Sequence, residues 1–409
     1  MENWQIQFSS LPQASSIHFI TDTYKHNSIK NSDRLRRGSS DVNSCVLRGP
    51  ATKVTNWKLF LSNDENKTSL INFLQNEWEK DHYSSKLENK EVYFVNEERC
   101  VVITSENDGT TNSRPVPDLF SSHEEADTRI IFHCVYASKQ TNTRRIVVRS
   151  HDTDVFLLLL SFCDAIDSTI ILDTGTGNRR RQINISKLAQ SFSKQLRDAF
   201  LGIHAFTGCD TTSCFAGKGK LKPLKIVTND EDLTRVFARL GTEDNICNED
   251  QSVLEHFVCK LYGKSKHTSV DQVRYDKISE TFSVKKSILS SSHGIDLGQM
   301  PPCKKVLKLH MQRANYQTLI WRKAVLNYPD LPKPETSGWT ENAQGDLEIQ
   351  WYKDNFIPDE LQDVLADRNH TDEDEQRECD DIDEYDSSFD DTEEDDSDEE
   401  LDNDSNDDE

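Results

Sequence analysis

The sequence IVVRSHDTDVFLLLL, residues 146–160, decides the fold class. A short β-branched run at 146–148 ends in a polar turn with Asp152 and Asp154, and an apolar run of helix length begins at Val155. This order predicts a strand, a loop and a helix. Ligands of open α/β sheets bind beyond the carboxyl ends of the strands, where these two carboxylates fall.

The pair of aspartates allows two interpretations. Two carboxylates this close repel each other unless a cation or a shared proton lies between them, which favours a metal site. The alternative is an Asx turn in which Asp152 or Asp154 caps the following helix. Further acidic positions along the chain favour the metal site.

Charge divides the chain of 409 residues into a nearly neutral body and an acidic end. Residues 371–409 contain 24 of the 72 acidic residues and one of the 48 basic residues, Arg377. A segment of this composition has almost nothing to bury, so we expect a disordered acidic tail at 364–409. Basic proteins are candidate partners of this tail.

The composition also excludes several classes of protein. The chain contains no run of roughly 18 apolar residues, and its first residues, MENWQ, lack the pattern of a signal peptide. We therefore expect an intracellular, soluble protein without membrane contact, in the nucleus rather than the cytoplasm. Ten cysteines without a Cys-x-x-Cys pair predict neither a zinc ribbon nor a disulfide framework. His204, Cys209 and Cys214 form the nearest approach to a zinc cluster, but we interpret them as core residues.

The first of the further acidic positions is Asp22. Residues 16–21 predict a buried strand that ends at this residue, and a basic segment with Lys30 and Arg34 follows. A carboxylate before a basic segment suits a metal and a phosphate, whose affinity comes mostly from lysine and arginine. The alternative is a solvated basic helix face.

The second position is the sequence SSHEEADTRIIFHCVYA, residues 121–137. Ser122 and Glu125 fit a capping box, which predicts a helix start and gives Glu125 a structural role. Glu124 and Asp127 lie three residues apart, so we expect both side chains to point at one spot near the positive end of that helix.

The third position is IHAFTGCDTTSCF, residues 203–215, where Gly208 permits a tight backbone and Asp210 follows an apolar approach. Periodicity predicts other elements, and Trp339 and Trp351 are expected to pack on the core. Helices are predicted at 66–78, 186–200, 230–240, 250–261 and 306–325, strands at 91–94, 100–104, 169–172 and 182–185, and a loop at 106–118.

The order of these motifs resembles the flap endonuclease branch of the PIN-like nuclease superfamily. Residues 125–127 match that family's Glu-Ala-Glu, Asp152 and Asp154 match its Asp-x-Asp, and Asp210 matches its Gly-x-Asp. Asp22 matches the acid that precedes the family's basic helix.

The basic pair of the family, which polarises the scissile phosphate, corresponds to Lys30 and either Arg34 or Arg37. The stretches 123–129, 151–160 and 204–215 are also similar to animal proteins interpreted as derived from mobile elements, a likeness that implies no function.

The chain departs from the family pattern in two ways. The family's first carboxylate lies on a strand well before the acid matched by Asp22, where this sequence has little room. After Asp210 the family has a duplex-gripping helix-hairpin-helix, of which residues 215–220 are at best a remnant.

The resemblance implies an α/β fold with a PIN-like mixed or parallel sheet flanked by helices. The nuclease core would occupy residues 14–225, with an insertion at about 39–118. A helical C-terminal extension would occupy 226–363 and the acidic tail 364–409.

The implied function is structure-specific hydrolysis of branched or single-stranded DNA or RNA. Carboxylates suit Mg²⁺ or Mn²⁺, and two such ions about 3.5 to 4 Å apart would perform the chemistry. The expected metal ligands are Asp22, Glu125, Asp127, Asp152, Asp154 and Asp210. Lys30 and Arg34 would neutralise the phosphate. The alternative is a catalytically inactive nucleic-acid or protein interaction module that lacks the first metal-binding aspartate.

Overall fold

The computed structural model describes residues 14–36, 44–47, 49, 51–87, 89–140, 143–285, 288–291 and 297–352. The acidic tail and Arg37 lie outside the described residues. The helices are α1 Ile29–Arg36, α2 Trp57–Phe60, α3 Asp64–Trp78, α4 Ser84–Leu87, α5 Ala126–Ser138, α6 Thr153–Ser161, α7 Ile185–Ala189, α8 Lys194–Phe206, α9 Leu221–Thr228, α10 Glu231–Arg239, α11 Asn248–Leu261, α12 Val270–Thr281 and α13 Lys304–Arg322. The strands are β1 Ser16–Phe19, β2 Glu91–Asn96, β3 Arg99–Ser105, β4 Thr111–Pro115, β5 Arg145–Arg149, β6 Thr169–Thr174, β7 Arg181–Asn184, β8 Phe282–Lys285, β9 Ile288–Ser291, β10 Trp339–Glu341 and β11 Leu347–Ile349.

The first sheet has the order β1–β2–β3–β4. β1 runs parallel to β2, and the pairs β2–β3 and β3–β4 are antiparallel, so that β2 and β3 form a hairpin. The prediction of a loop at 106–118 was wrong, because β4 pairs with β3 and places Pro115 opposite Val101. β4 is a mostly exposed, polar edge strand, so it carries no apolar alternation from which a strand could be predicted.

The second sheet has the order β5–β6–β7, with β5 parallel to β6 and β6 antiparallel to β7. The predicted strand, loop and helix at 146–160 are confirmed as β5, a turn and α6, and the helix begins at Thr153 rather than Val155. Both sheets are flanked by helices. The fold is therefore α/β, with parallel and antiparallel strands.

Helix α5 connects the hydrophobic cores of the two sheets. Phe132 packs with Tyr93 and Val95 of the first sheet. Ile131 and Cys134 on the same helix belong to the larger core that contains β5, β6 and α6. The first turn of α5 is thus fixed relative to both sheets.

The larger core continues into the C-terminal helices. The rings of Phe206, Phe237 and Phe257 pack edge to face, with centroids 5.0 to 5.8 Å apart. A single cluster of buried side chains includes residues before and after residue 225, where the nuclease core implied by the sequence would end. The helices predicted at 66–78, 230–240, 250–261 and 306–325 are confirmed as α3, α10, α11 and α13.

Two other predictions need correction. The helix predicted at 186–200 is two helices, α7 and α8, because the Ser193 hydroxyl accepts a hydrogen bond from the Leu196 amide and starts α8 anew. Trp339 is 2% exposed and packs on Tyr316, as predicted, whereas Trp351 is 64% exposed. Within the described parts of the chain, none of the helices combines the length and the apolar character needed to cross a bilayer.

Candidate metal centre

Three aspartates converge where α5 and α6 begin. Asp127, Asp152 and Asp154 each offer a carboxylate oxygen, and these oxygens lie within 4.8 Å of one another. Asp127 and Asp154 lie in the first turns of α5 and α6, where the helix dipoles stabilise negative charge. Asp152 is the N-cap of α6, because its Oδ1 accepts a 2.9 Å hydrogen bond from the Asp154 amide. The helix-capping interpretation is therefore correct for Asp152, and the same side chain also belongs to the cluster.

The surroundings of the cluster disfavour the ionised forms of its carboxyl groups. Burial first, and then the neighbouring Glu125, Asp152 and Asp154, raise the pKa of Asp127 to about 8 against the opposing effect of Lys30. Burial likewise raises the pKa of Glu125 to about 7, although Lys30 opposes the change. Such carboxyl groups retain protons near neutral pH unless a cation replaces the protons.

Lys30 is the cation that the structure places at this cluster. Its Nζ donates a 2.9 Å hydrogen bond to Asp210 Oδ2 and lies 3.8 Å from Glu125 Oε2. Burial alone would lower the pKa of Lys30, but Glu125 and Asp210 raise it above its usual value. Asp210 and Glu125 thus lie beside the aspartate cluster and are held by Lys30.

Asp22 lies at the start of α5 and caps this helix. Its Oδ1 accepts a 2.7 Å hydrogen bond from the Ala126 amide, the first amide of the helix. The predicted capping box was wrong: Glu125 is the N-cap and its side chain makes no capping hydrogen bond. A carboxylate 104 residues away in sequence caps this helix instead.

Arg34 lies in a separate ion-pair network next to the cluster. Its Nη1 is 3.3 Å from Glu124 Oε1 and its Nε is 3.6 Å from Asp64 Oδ2. The guanidinium also lies over the Tyr24 ring, 4.8 Å from the centroid. The expectation that Glu124 shares a helix face with Asp127 was wrong, because residue 124 precedes the helix and bonds Ser28 and Arg34.

His204 contacts the aspartate cluster, although the sequence led us to interpret it as a core residue. Its Nε2 lies 2.7 Å from Asp154 Oδ1, and its ring stacks on Trp321 with centroids 5.7 Å apart. The Lys220 ammonium donates a 3.0 Å hydrogen bond to the His204 carbonyl. The sequence offered one signal for this contact, a histidine on an apolar helix with an acidic motif elsewhere in the chain. The pairing of His204 with Asp154 could not be predicted from that signal, because the two residues lie 50 positions apart.

The donor set decides which ion the centre can hold. Three carboxylates offer hard oxygen ligands, which suit Mg²⁺ or Mn²⁺ better than zinc. His204 fixes the orientation of Asp154, as second-layer hydrogen bonds commonly do for metal ligands.

Comparisons with models of protein families, with curated proteins and with solved structures found no match for the chain.

Proposed function

We propose that this chain is a nuclease of the PIN-like, flap endonuclease type that hydrolyses phosphodiester bonds with Mg²⁺ or Mn²⁺. The convergence of Asp127, Asp152 and Asp154 within 4.8 Å at two helix starts carries the proposal. The raised pKa values of Asp127 and Asp152, caused first by burial and then by neighbouring carboxylates, support it, because a divalent ion would stabilise the ionised forms of these groups. The motif order of the sequence supports the same class of enzyme.

Each residue has a distinct task in this proposal. Asp127, Asp152 and Asp154 would hold the ion, which supplies an activated water and stabilises the leaving oxygen. His204 keeps the Asp154 carboxylate in position through its 2.7 Å contact. Lys30, 15% exposed at the edge of the cluster, would attract the substrate phosphate.

The proposed substrates are single-stranded or branched nucleic acids. In the flap endonuclease family a helix-hairpin-helix that grips duplex follows the position matched by Asp210, and residues 215–220 stand in its place here. Lys220 of this segment donates hydrogen bonds to the Thr207 hydroxyl and the His204 carbonyl. This lysine holds its own loop against α8, so a duplex-gripping role is not supported. We expect flapped and single-stranded oligonucleotides to be cleaved faster than blunt duplex.

One observation favours the alternative of an inactive interaction module. Asp22 caps α5 and Asp210 is hydrogen-bonded to Lys30, so the group that could hold an ion among the described residues is limited to three aspartates. In that case the fold would bind nucleic acid or protein without hydrolysing it.

The deciding experiment measures cleavage of a flapped oligonucleotide by the full-length protein with Mn²⁺, and Mn²⁺ binding by calorimetry. The variant Asp152→Asn with Asp154→Asn should lose both, while asparagine retains the helix cap. The matched control, Glu231→Gln with Asp232→Asn, removes the same charge from the first turn of α10 and should lose neither. Equal cleavage by the wild type and the site variant would exclude the proposed nuclease. Metal binding without cleavage would support the interaction module.

A further inference from the structure

The position of Lys30 is built into the fold. Ile29, the preceding residue, is 6% exposed and packs with Tyr316, Trp339 and Leu347. On the other side, the Ser28 hydroxyl donates to Glu124 Oε1 at 2.7 Å and accepts from the Asn31 amide at 3.0 Å. The start of α1 is therefore fixed against two parts of the molecule, the hairpin formed by β10 and β11 and the segment before α5.

Lys30 divides the acidic residues of the centre into two sets. Its ammonium hydrogen-bonds Asp210 at 2.9 Å and pairs with Glu125 at 3.8 Å. The Glu125 side chain is 8% exposed, so it has little access to water or to other cations. Asp127, Asp152 and Asp154 remain together as the set whose oxygens converge.

We propose that Lys30 is a built-in cation that replaces the second divalent ion, so that the centre binds one ion rather than two. This inference rests on the proposed function, because it assumes that the three aspartates hold Mg²⁺ or Mn²⁺. A second ion would need oxygens of Asp210 or Glu125, and both carboxylates are already paired with the ammonium. An ion bound to either carboxylate would also lie close to Lys30, and like charges at this separation repel strongly in a partly buried site.

The inference changes the role expected for Asp210. In the two-ion scheme Asp210 is a metal ligand, whereas here it holds Lys30 at the edge of the centre. Lys30 then provides one fixed positive charge that needs no metal and that faces a substrate phosphate together with the single ion. Removing the ammonium takes away the positive charge beside Asp210 and Glu125 and should allow a second ion to bind at these carboxylates.

The test counts Mn²⁺ ions by calorimetry on the full-length protein, relative to the variant Asp152→Asn with Asp154→Asn. We expect one additional ion in the wild type and two in Lys30→Met. Lys30→Arg, which keeps the positive charge, should bind one. The matched control is Lys25→Met, because Lys25 pairs with Glu98 and Ser122 away from the cluster, and it should also bind one.

Electron paramagnetic resonance of the same samples gives a second readout that does not depend on the variant. Two Mn²⁺ ions about 3.5 to 4 Å apart produce an exchange-coupled signal, whereas one ion gives the six-line signal of an isolated centre. A coupled signal in the wild type, or a single ion in a folded Lys30→Met, would overturn the role of Lys30 and leave the nuclease proposal intact. If the wild type binds no more Mn²⁺ than the Asp152→Asn and Asp154→Asn variant, both proposals are wrong.

Discussion

Asp152 performs two tasks with one side chain, since it caps α6 and belongs to the aspartate cluster. The two tasks have different chemical requirements. Capping needs an acceptor oxygen, which asparagine also provides, whereas holding a divalent ion needs negative charge.

We therefore predict that Asp152→Asn and Asp152→Ala separate stability from metal binding. Both variants should lose at least tenfold in Mn²⁺ affinity. Asp152→Ala should also lower the free energy of unfolding by about 1 kcal/mol, while Asp152→Asn should change it by only a few tenths. Chemical denaturation and calorimetry on the same preparations measure the two effects, and equal stability losses would contradict the capping role.

His310 is a buried histidine that couples folding to pH. It is 5% exposed, its Nε2 lies 2.7 Å from the Phe206 carbonyl, and burial lowers its pKa to about 4. The unfolded chain therefore binds a proton more readily than the folded one between about pH 6.5 and 4. The stability from neutral His310 is present above pH 6.5 and is lost as the pH falls.

We predict that His310 contributes a decrease of about 2 kcal/mol to the wild-type unfolding free energy between pH 7 and pH 5, which the raised pKa values of Asp127 and Glu125 oppose. His310→Gln keeps a donor for the Phe206 carbonyl but does not titrate, so its decrease should be smaller by that amount. Denaturant titrations at both pH values give the difference. Identical pH slopes for the two proteins would show that His310 does not contribute.

Gly241 sets the close approach of two elements, the end of α10 and the C-terminal part of α13. Its φ is +73°, and an added Cβ would lie 2.4 Å from the Leu319 amide nitrogen and 2.5 Å from the Thr318 carbonyl carbon. These are backbone atoms of a buried helix, so they have little freedom to move. Gly263 also has a positive φ, +84°, but a Cβ added there would meet no atom within 4 Å.

Gly241→Ala should therefore destabilise the protein by at least about 2 kcal/mol more than Gly263→Ala, because both changes strain the backbone but only the first also creates a clash. Thermal or chemical unfolding of the two variants provides the comparison. Similar losses would mean that α13 shifts to make room.

Elements with strong local patterns were predictable from sequence, and elements defined by distant contacts were not. β5, α6 and the β2–β3 hairpin follow from apolar periodicity and turn residues. β4 is polar and exists because β3 offers it an edge, and the break before α8 depends on one serine cap.

The same distinction applies to the site. Asp127, Asp152 and Asp154 were predicted because each follows a recognisable local motif. The engagement of Asp210 by Lys30 joins residues 180 positions apart, and the cap that Asp22 gives α5 joins residues 104 positions apart. Composition and spacing within a short window carry no information on such contacts.

At the scale of the whole molecule, the acidic tail is the largest imbalance of charge. It lies outside the described residues, so its role is a prediction from sequence. Its composition predicts a disordered tether of about 40 residues with an r.m.s. reach on the order of 35 Å, and we predict that the tail competes with nucleic acid for basic segments at 25–37, 179–181 and 218–225.

Deleting residues 371–409 should therefore tighten binding of a single-stranded oligonucleotide at low salt, and the difference should shrink as salt increases, since both interactions are screened. Fluorescence anisotropy at several salt concentrations measures this. Equal affinities at low salt would leave solubility, or binding of basic proteins, as the role of the tail.

The packing of Ile29 under Trp339 and Leu347 also constrains how the centre is assembled during synthesis. The ribosome releases Asp127, Asp152 and Asp154 long before the hairpin β10–β11, against which the lysine-bearing helix rests. Closing contacts across so much sequence is slow, and chains are made at about 5–20 residues per second. The nascent protein can thus bring its aspartates together while α1 is held only through contacts such as that of Ser28 with Glu124, and the helix gains the packing of Ile29 when β10 and β11 have left the exit tunnel.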